Sequence, residues 1–461
     1  MMLSEIAKAV GGQMLGHEVG MPDVLCESIG SDSRNIQKNQ LFVAIKGEYF
    51  DGNTFAQAAI KQGAAVVMVS DANTKARPAL LVPDTRLALG NLAKYWRNKF
   101  TLPLVAITGS NGKTTVKEML SAILKAANKN VLATQGNLNN DIGMPMTLLN
   151  LRKQHTVAVI EMGMNHLGEI DYLTRIAQPN IAVINNAGAA HIGELGSRDN
   201  IAQAKGEIFA GLQKDGIAII NADDTYKDYW KSLNTNKTII TFGFNQADNV
   251  SATYTESDGA ENTGISKVTL NTPTGSVTFS LAMLGKHNIS NALAASACAV
   301  ALGISNSDIA HGLSNMQAVK GRLQRKAGFN GASLIDDTYN ANPDSMKAAI
   351  DVLAAQKGDT IFVMGDMAEL GADAPQMHAD IGAYAKQKGV QTLFTFGELS
   401  AQASATFGSE AQHFDALETL LDKLRSAMHK YVTVLVKGSR FMQMERVVNA
   451  IVEHPIYGET H

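Results

Sequence analysis

The sequence predicts an α/β protein of three domains. These are a small mixed α/β unit over residues 1–100, a central parallel-sheet unit over 101–318 and a doubly wound, Rossmann-like unit over 319–461. Three observations carry this. The chain has 461 residues, room for three domains at about 150 residues each. Short β-branched runs alternate with segments of helical periodicity along its length. The glycine-rich stretch Thr108-Gly-Ser-Asn-Gly-Lys-Thr-Thr115 stands between an apolar run and an amphipathic one, and ligands bind at such strand-to-helix turns of an open parallel sheet.

Taken in order, Leu41 to Ile45, Ala65 to Val69 and Leu80 to Val82 read as strands, followed by an amphipathic helix around Leu87 to Trp96. The central unit opens on Pro103 to Thr108 and continues through Val157 to Ile160, Ile181 to Ile184, Ile217 to Ile220 and Thr238 to Phe242. These runs are continuously apolar, as strands of a sheet covered on both faces must be. Over 249–283 the pattern alternates instead, with the turn-like Asn271-Thr-Pro-Thr-Gly275, which fits an antiparallel hairpin. After residue 320, Leu334-Ile335, Ile361 to Met364, Leu393 to Phe396 and Val432 to Val436 alternate with helical stretches. The segment 315–322 is expected to be the hinge. No G-x-G-x-x-G occurs, which argues against a dinucleotide fingerprint.

Composition excludes several classes. Forty Lys+Arg against 43 Asp+Glu give a net charge of −3, with 45% hydrophobic and 18% charged residues. That balance is neither disordered nor globally basic, so no nucleic-acid partner is expected. Cys26 and Cys298 are the only cysteines, too few for a disulfide framework and suited to a reducing cytoplasm. Glu5 and Lys8 interrupt the start before a signal-peptide apolar run can form. The longest low-polarity stretch, Ala292 to Leu302, is far short of the roughly 20 residues that span a bilayer. Membrane insertion is not expected.

The stretch Thr108, Gly109, Ser110, Asn111, Gly112, Lys113, Thr114, Thr115 has the form of a phosphate loop. Val116, Met119, Leu120, Ile123 and Leu124 follow at helical spacing. Backbone N–H groups of such a turn converge on phosphate oxygens, and the helix N-terminus adds partial positive charge. Lys113 would reach the β/γ-phosphates of ATP and the Thr114 hydroxyl would hold Mg²⁺. Ile107 occupies the position of the first glycine in G-x-x-x-x-G-K-[ST], so the loop is a shortened variant.

Glu161 ends the strand run Val157 to Ile160, and Asn185, Asn186 and His191 lie beyond the next one, on the edge where the loop sits. Glu161 and His191 are candidate metal ligands there, the carboxylate more readily than the imidazole. Lys205 is unusual. On a helix over Asn200 to Leu212 it falls within about 40° of Ile201 and inside the apolar stripe. A lysine there either snorkels to the rim or is desolvated with a depressed pKa, free to act as base or nucleophile or to add CO₂ as a carbamate. Spacing does not choose among these.

In order along the chain, Asp32-Ser-Arg34, Leu41 to Gly47, Thr108 to Thr115, Gly136 to Gly143, Glu161-Met-Gly163, His191, Ala204-Lys-Gly-Glu207, Gly285-Lys-His-Asn288, Gly321-Arg-Leu323, Asp336 to Pro343, Gly365 to Gly371 and Lys437-Gly-Ser-Arg440 resemble the ATP-dependent Mur ligases of bacterial peptidoglycan synthesis. The Asn137 to Gly143 and Gly365 to Gly371 stretches look like the branch that joins D-alanyl-D-alanine to a UDP-N-acetylmuramoyl tripeptide. Diaminopimelate-adding relatives carry an Arg after Asn-Pro, where this chain has Asp344.

The resemblance implies ATP and two Mg²⁺ ions as cofactors. Lys113 and Thr114 would bind the phosphates and the first ion, Glu161 would ligate that ion, and His191 would serve the second. Lys205 would be the lysine that relatives carry as a carbamate. Asn288 and Arg322 would touch the nucleotide from the hinge side, with Asp337 and Tyr339 closing on it. Asp32, Ser33, Arg34, Lys46 and Gly47 would form a uridine diphosphate pocket, and Asn137, Asn139 and Asn140 would lie near the sugar and peptide. A bacterial, cytoplasmic, monomeric amide ligase working through an acyl phosphate is implied. A nucleotide-dependent switch, another muramoyl amino-acid ligase and a folylpolyglutamate synthase are the competing readings. The latter generally lack a separate uridine-diphosphate domain.

Overall fold

A computed structural model describes residues 1–16, 21–256, 265–316 and 318–453. Each expected unit contains one sheet. The first has the strand order Gln13–Leu15, Ala79–Leu81, Val66–Val69, Gln40–Val43, Ser28–Gly30, parallel except for its first pair. Leu41, Val43, Val66 and Met68 face one core while Phe42, Ala44, Val67 and Val69 face another. Both faces are covered, so the strand runs read as continuously apolar.

The helix Thr85–Arg97 follows, started by Asp84, whose side chain accepts from the Arg86 and Leu87 N–H groups. Its Ala88, Leu89, Leu92 and Ala93 share one core with Leu104, Ala106, Ala158 and Ile160 of the central sheet. The first unit is therefore packed on the second through this helix.

The central sheet has nine strands among the described residues, in the order Gly275–Leu281, Ser266–Thr272, Val250–Glu256, Thr238–Gly243, Ile217–Asn221, Ile181–Ile184, Leu104–Thr108, Val157–Glu161, Val131–Ala133. The first three run antiparallel to their neighbours within that set and the remainder are parallel. The alternating segment is thus the expected hairpin, turning at Pro273-Thr274 with Thr272 opposite Gly275. Residues 257–264 of that segment lie outside the described residues. The chain leaves Leu104–Thr108 first for one side of the sheet and later for the other, so a crevice opens at the C-terminal end of this strand. One face is covered by the helices Lys113–Ala126, Lys286–Ala301 and Asn306–Ser314. The low-polarity stretch from Ala292 belongs to the second of these, and no described helix is long and apolar enough to cross a membrane.

The third sheet runs Gln324–Ala327, Ser333–Asp337, Val432–Lys437, Asp359–Gly365, Thr392–Phe396, Ala411–Phe414, parallel except for the first pair. Two cores flank it. Of the expected hinge 315–322, Gln317 lies outside the described residues.

The helices Ala374–Gln387 and Ala401–Phe407 meet at Gly382, where a Cβ would stand 2.1 Å from the Ala403 carbonyl oxygen. Backbone cannot yield as a side-chain tip can. Gly382→Ala is expected to cost about 1–3 kcal/mol, read as a lowered denaturant midpoint with unchanged slope; an unchanged midpoint would refute it.

Candidate active site

The strand Leu104–Thr108 is wholly buried and delivers the glycine-rich loop to the crevice. Thr108 Oγ1 donates to Met162 O at 2.9 Å, tying the strand end to its neighbour. Ser110 N–H donates to Asn186 O at 3.0 Å and Asn111 N–H to Asn186 Oδ1 at 2.8 Å. Asn185 Nδ2 donates to Asn111 O at 2.9 Å and Asn291 Oδ1 at 2.8 Å. Gly112 opens the helix Lys113–Ala126 with φ of 79°, and a Cβ there would meet Asn291 Oδ1 at 2.2 Å. Both its left-handed backbone and the lack of space demand glycine.

Lys113 Nζ donates back across the loop to Gly109 O at 2.7 Å. Desolvation pulls its pKa down, with the Glu161 carboxylate opposing. Thr114 Oγ1 donates to Glu161 Oε2 at 2.9 Å. Glu161 is buried at the end of its strand, with Oε1 accepting from Asn139 Nδ2 at 2.8 Å. Asn139 thus orients the candidate metal ligand, a role that the reading of it as a sugar or peptide contact missed.

Thr114 and Glu161 offer adjacent hard oxygen donors at the crevice floor. No group of three His, Cys, Asp or Glu poised around one point occurs among the described residues. A cation here would complete its shell with phosphate oxygens and water, which suits Mg²⁺.

Lys205 lies on the helix Arg198–Gly206, which is shorter than the expected Asn200 to Leu212; a 3₁₀ turn, Glu207–Gly211, follows. The Glu207 carboxylate instead accepts from the Gly168 and Asp171 N–H groups at 2.8 and 3.1 Å, at the start of the helix Glu169–Ala177. Lys205 is 2% exposed, so it does not snorkel. It makes no hydrogen bond or ion pair among the described residues. Burial first, and the charge of Lys113 second, push its pKa well down.

His191 adopts a left-handed backbone, φ 62°, and its Nδ1 lies 2.6 Å from Glu369 Oε2 of the C-terminal domain. The His191 contact holds the Glu369 carboxyl below its usual value. Arg322 Nη2 donates to Thr114 Oγ1 at 3.1 Å while its guanidinium stacks 4.2 Å from the Tyr339 ring. Asp337 accepts from Leu323 N–H at 3.1 Å and pairs with Lys437 Nζ at 2.6 Å.

A cleft of about 1640 Å³ gathers Lys113, Thr114, Asn137, Asn139, Asn140, Glu161, His191, Asn288, Arg322, Asp337 and Tyr339. Lys205 is not among its lining residues, and neither are Asp32, Ser33, Arg34, Lys46 and Gly47. Asp32 and Arg34 pair with one another at 2.8 Å on the surface, which holds the Asp32 carboxyl at about 2. Glu369, Asn342, Asn291 and Lys437 join the cleft without having been singled out. For Asn342, Glu369 and Lys437 the signal lay in the motif stretches that contain them; Asn291 lies outside every such stretch. Both cysteines are buried and unpaired, with thiol pKa values pushed up by burial, so neither is a nucleophile.

Family profiles match in the same order as the sheets. "Mur ligase family, catalytic domain" covers residues 26–97, "Mur ligase middle domain" 107–299 and "Mur ligase, glutamate ligase domain" 321–440. The chain is 42% identical over 98% of both chains to UDP-N-acetylmuramoyl-tripeptide–D-alanyl-D-alanine ligase of Escherichia coli, and 36% identical to the Bacillus subtilis protein of that name over 98% of this chain and 99% of the other. Among solved structures, MurF from Acinetobacter baumannii superposes with a TM-score of 0.90 at 38% identity, covering 97% of each chain. MurF ligase from Thermotoga maritima, in complex with ADP, gives 0.83 at 27% identity, covering 93% of this chain and 98% of the other.

Proposed function

The chain belongs to the Mur ligase family, and from that membership we propose that it joins D-alanyl-D-alanine to UDP-N-acetylmuramoyl tripeptide, with ATP, in the bacterial cytoplasm. The observation that carries this is the end-to-end match, at 42% identity over 98% of both chains, to a ligase of that name. Folylpolyglutamate synthase of Mycobacterium tuberculosis shares the fold at a TM-score of 0.63 but covers 79% of this chain at 16% identity.

The resemblance implies the chemistry, and the cleft holds residues suited to it. A tripeptide carboxylate oxygen attacks the γ-phosphorus of ATP, the bond to the bridging oxygen breaks, and ADP leaves with an acyl phosphate formed. The amine of D-alanyl-D-alanine then attacks the acyl carbon, inorganic phosphate leaves with the bonding pair, and the amine gives up one proton. On this reading Lys113, turned from Gly109 O, and the loop N–H groups not donated to Asn186 would hold the phosphates. Thr114 and Glu161 would hold one Mg²⁺, with His191 and Lys205 serving a second; metal bound there would supply charge neutralisation for the transferred phosphoryl group.

Lys205, as a neutral amine, would add CO₂ and release one proton, leaving an anionic carbamate. The resemblance to relatives and its depressed pKa support this. On this reading the first domain holds the uridine diphosphate through Asp32, Ser33, Arg34, Lys46 and Gly47, and the third brings the amine acceptor.

A matrix of acceptors tests the assignment: tripeptides ending in diaminopimelate or lysine, crossed with D-alanyl-D-alanine, D-alanyl-D-lactate and single amino acids. Phosphate release is expected only with tripeptide and D-alanyl-D-alanine together. Release by nucleotide alone, or ligation of single amino acids in preference to the dipeptide, would overturn it.

A further inference from the structure

The loop between the strand Ile181–Ile184 and His191 is pinned peptide by peptide. Ala187 N–H donates to Asp224 Oδ2 at 2.9 Å and Gly188 O accepts from Ser110 Oγ at 3.0 Å, both partners lying in the central domain. The next amide, Ala189 N–H, donates to Asp344 Oδ2 at 2.7 Å, and Asp344 belongs to the C-terminal domain. The other oxygen of Asp344 accepts from Arg198 Nη2 at 2.9 Å. Arg198 is the first residue of the helix that carries Lys205. A guanidinium in a first turn faces the positive end of the helix dipole and is favoured there only beside an anion.

Asp344 reaches these partners in a fixed register. It lies in the first turn of the helix Pro343–Ala354, whose N-cap Asn342 forms a capping box with Ser345. The Asn342 Nδ2 group also donates to Asn111 Oδ1 of the phosphate loop at 2.7 Å. One helix end therefore docks on both the loop that surrounds the phosphates and the loop that bears His191.

We infer that Asp344 and Arg198 form an interdomain latch, through which closure of the C-terminal domain sets the 187–191 loop and the Lys205 helix in their working positions. Asp344 is a positioning residue. The inference rests on the ligase reading only for the choice of assay.

Asp344→Ala, Arg198→Ala, the double variant and the charge exchange Asp344→Arg/Arg198→Asp test it in the full chain. Loss of one backbone bond and one ion pair should lower kcat about tenfold, with KM for ATP changed less than about twofold. The double variant should be no worse than the poorer single one, and the charge exchange should recover part of the lost kcat. Small-angle scattering with a non-hydrolysable ATP analogue should show the wild type compacting and each single variant failing to. Additive losses, unchanged kcat, or compaction of both single variants would overturn the latch. A wild type that compacts yet releases no phosphate with D-alanyl-D-alanine would sink the ligase reading and leave the latch standing.

Discussion

On the carbamate reading, exchange of Lys205 for methionine should remove most ligation, about 10²–10³-fold in kcat, while raising thermal stability at neutral pH. The two effects share one cause. Lys205 is 2% exposed and its pKa is pushed well below 10.5, chiefly by burial and further by Lys113. Between the depressed native value and the ordinary one, the unfolded chain binds a proton that the native protein does not. Stability from this group is therefore fully present above about 10.5 and is lost as pH falls through the native pKa. Methionine of similar shape removes that dependence, and each kcal/mol recovered is worth about 2–4 °C in a domain of this size. Calorimetry at pH 7 and pH 9 should show the gain largest at the lower pH. Lys205→Ala supplemented with short carboxylates should regain part of the activity, since the small acid would stand where the carbamate's charge belongs. Full activity of the unsupplemented variant would refute the role.

That lysine also shows what the sequence could and could not tell. Its place on the apolar stripe left both snorkelling and burial open, because 100° periodicity reports only which side of a helix meets the core; at 2% exposure the structure decides for burial. The α-helix itself gives way at Glu207 to a 3₁₀ turn, and the Glu207 carboxylate accepts from the start of another helix, a partnership 39 residues distant that no local pattern encodes. The buried strands from Leu41 to Val436 were legible because both their faces are covered. The short strands Gln13–Leu15 and Ala411–Phe414 were not, since each lies at a sheet edge where exposure lets polar residues intrude, and Val131–Ala133, apolar but only three residues long at another edge, is too short to carry a pattern. The phosphate loop was readable from its own residues. Asn342, which donates to Asn111 of the loop, lies 231 residues away, Asn291 joins through Asn185 at 106 residues, and Glu369 and Asp344 meet His191, Ala189 and Arg198 from the C-terminal domain, so their convergence had to await the fold.

Glu161→Gln should lower kcat/KM about 10²-fold and move the Mg²⁺ requirement to higher concentration, with the fold intact. Both Glu161 oxygens act as acceptors, Oε2 from Thr114 Oγ1 at 2.9 Å and Oε1 from Asn139 Nδ2 at 2.8 Å. An amide of the same shape has only one oxygen. If its NH₂ faces Asn139, two donors oppose one another in a buried site, at a cost of about 1–3 kcal/mol. If it faces Thr114, the hydroxyl oxygen must accept from the amide while already accepting from Arg322 Nη2 at 3.1 Å. The threonine lone pairs are then turned away from any cation, and the negative charge that would hold one is gone. The backbone anchor survives, because the residue 161 N–H still donates to Thr134 Oγ1 at 2.9 Å, so the strand end should stay in place. Titrating ADP formation with Mg²⁺ separates the outcomes. A rightward shift of the Mg²⁺ midpoint, with the thermal midpoint lowered no further than a cost of about 1–3 kcal/mol implies, supports Glu161 as ligand; a fall in kcat at an unchanged Mg²⁺ midpoint would mean that the carboxylate serves only to orient Thr114 and Asn139.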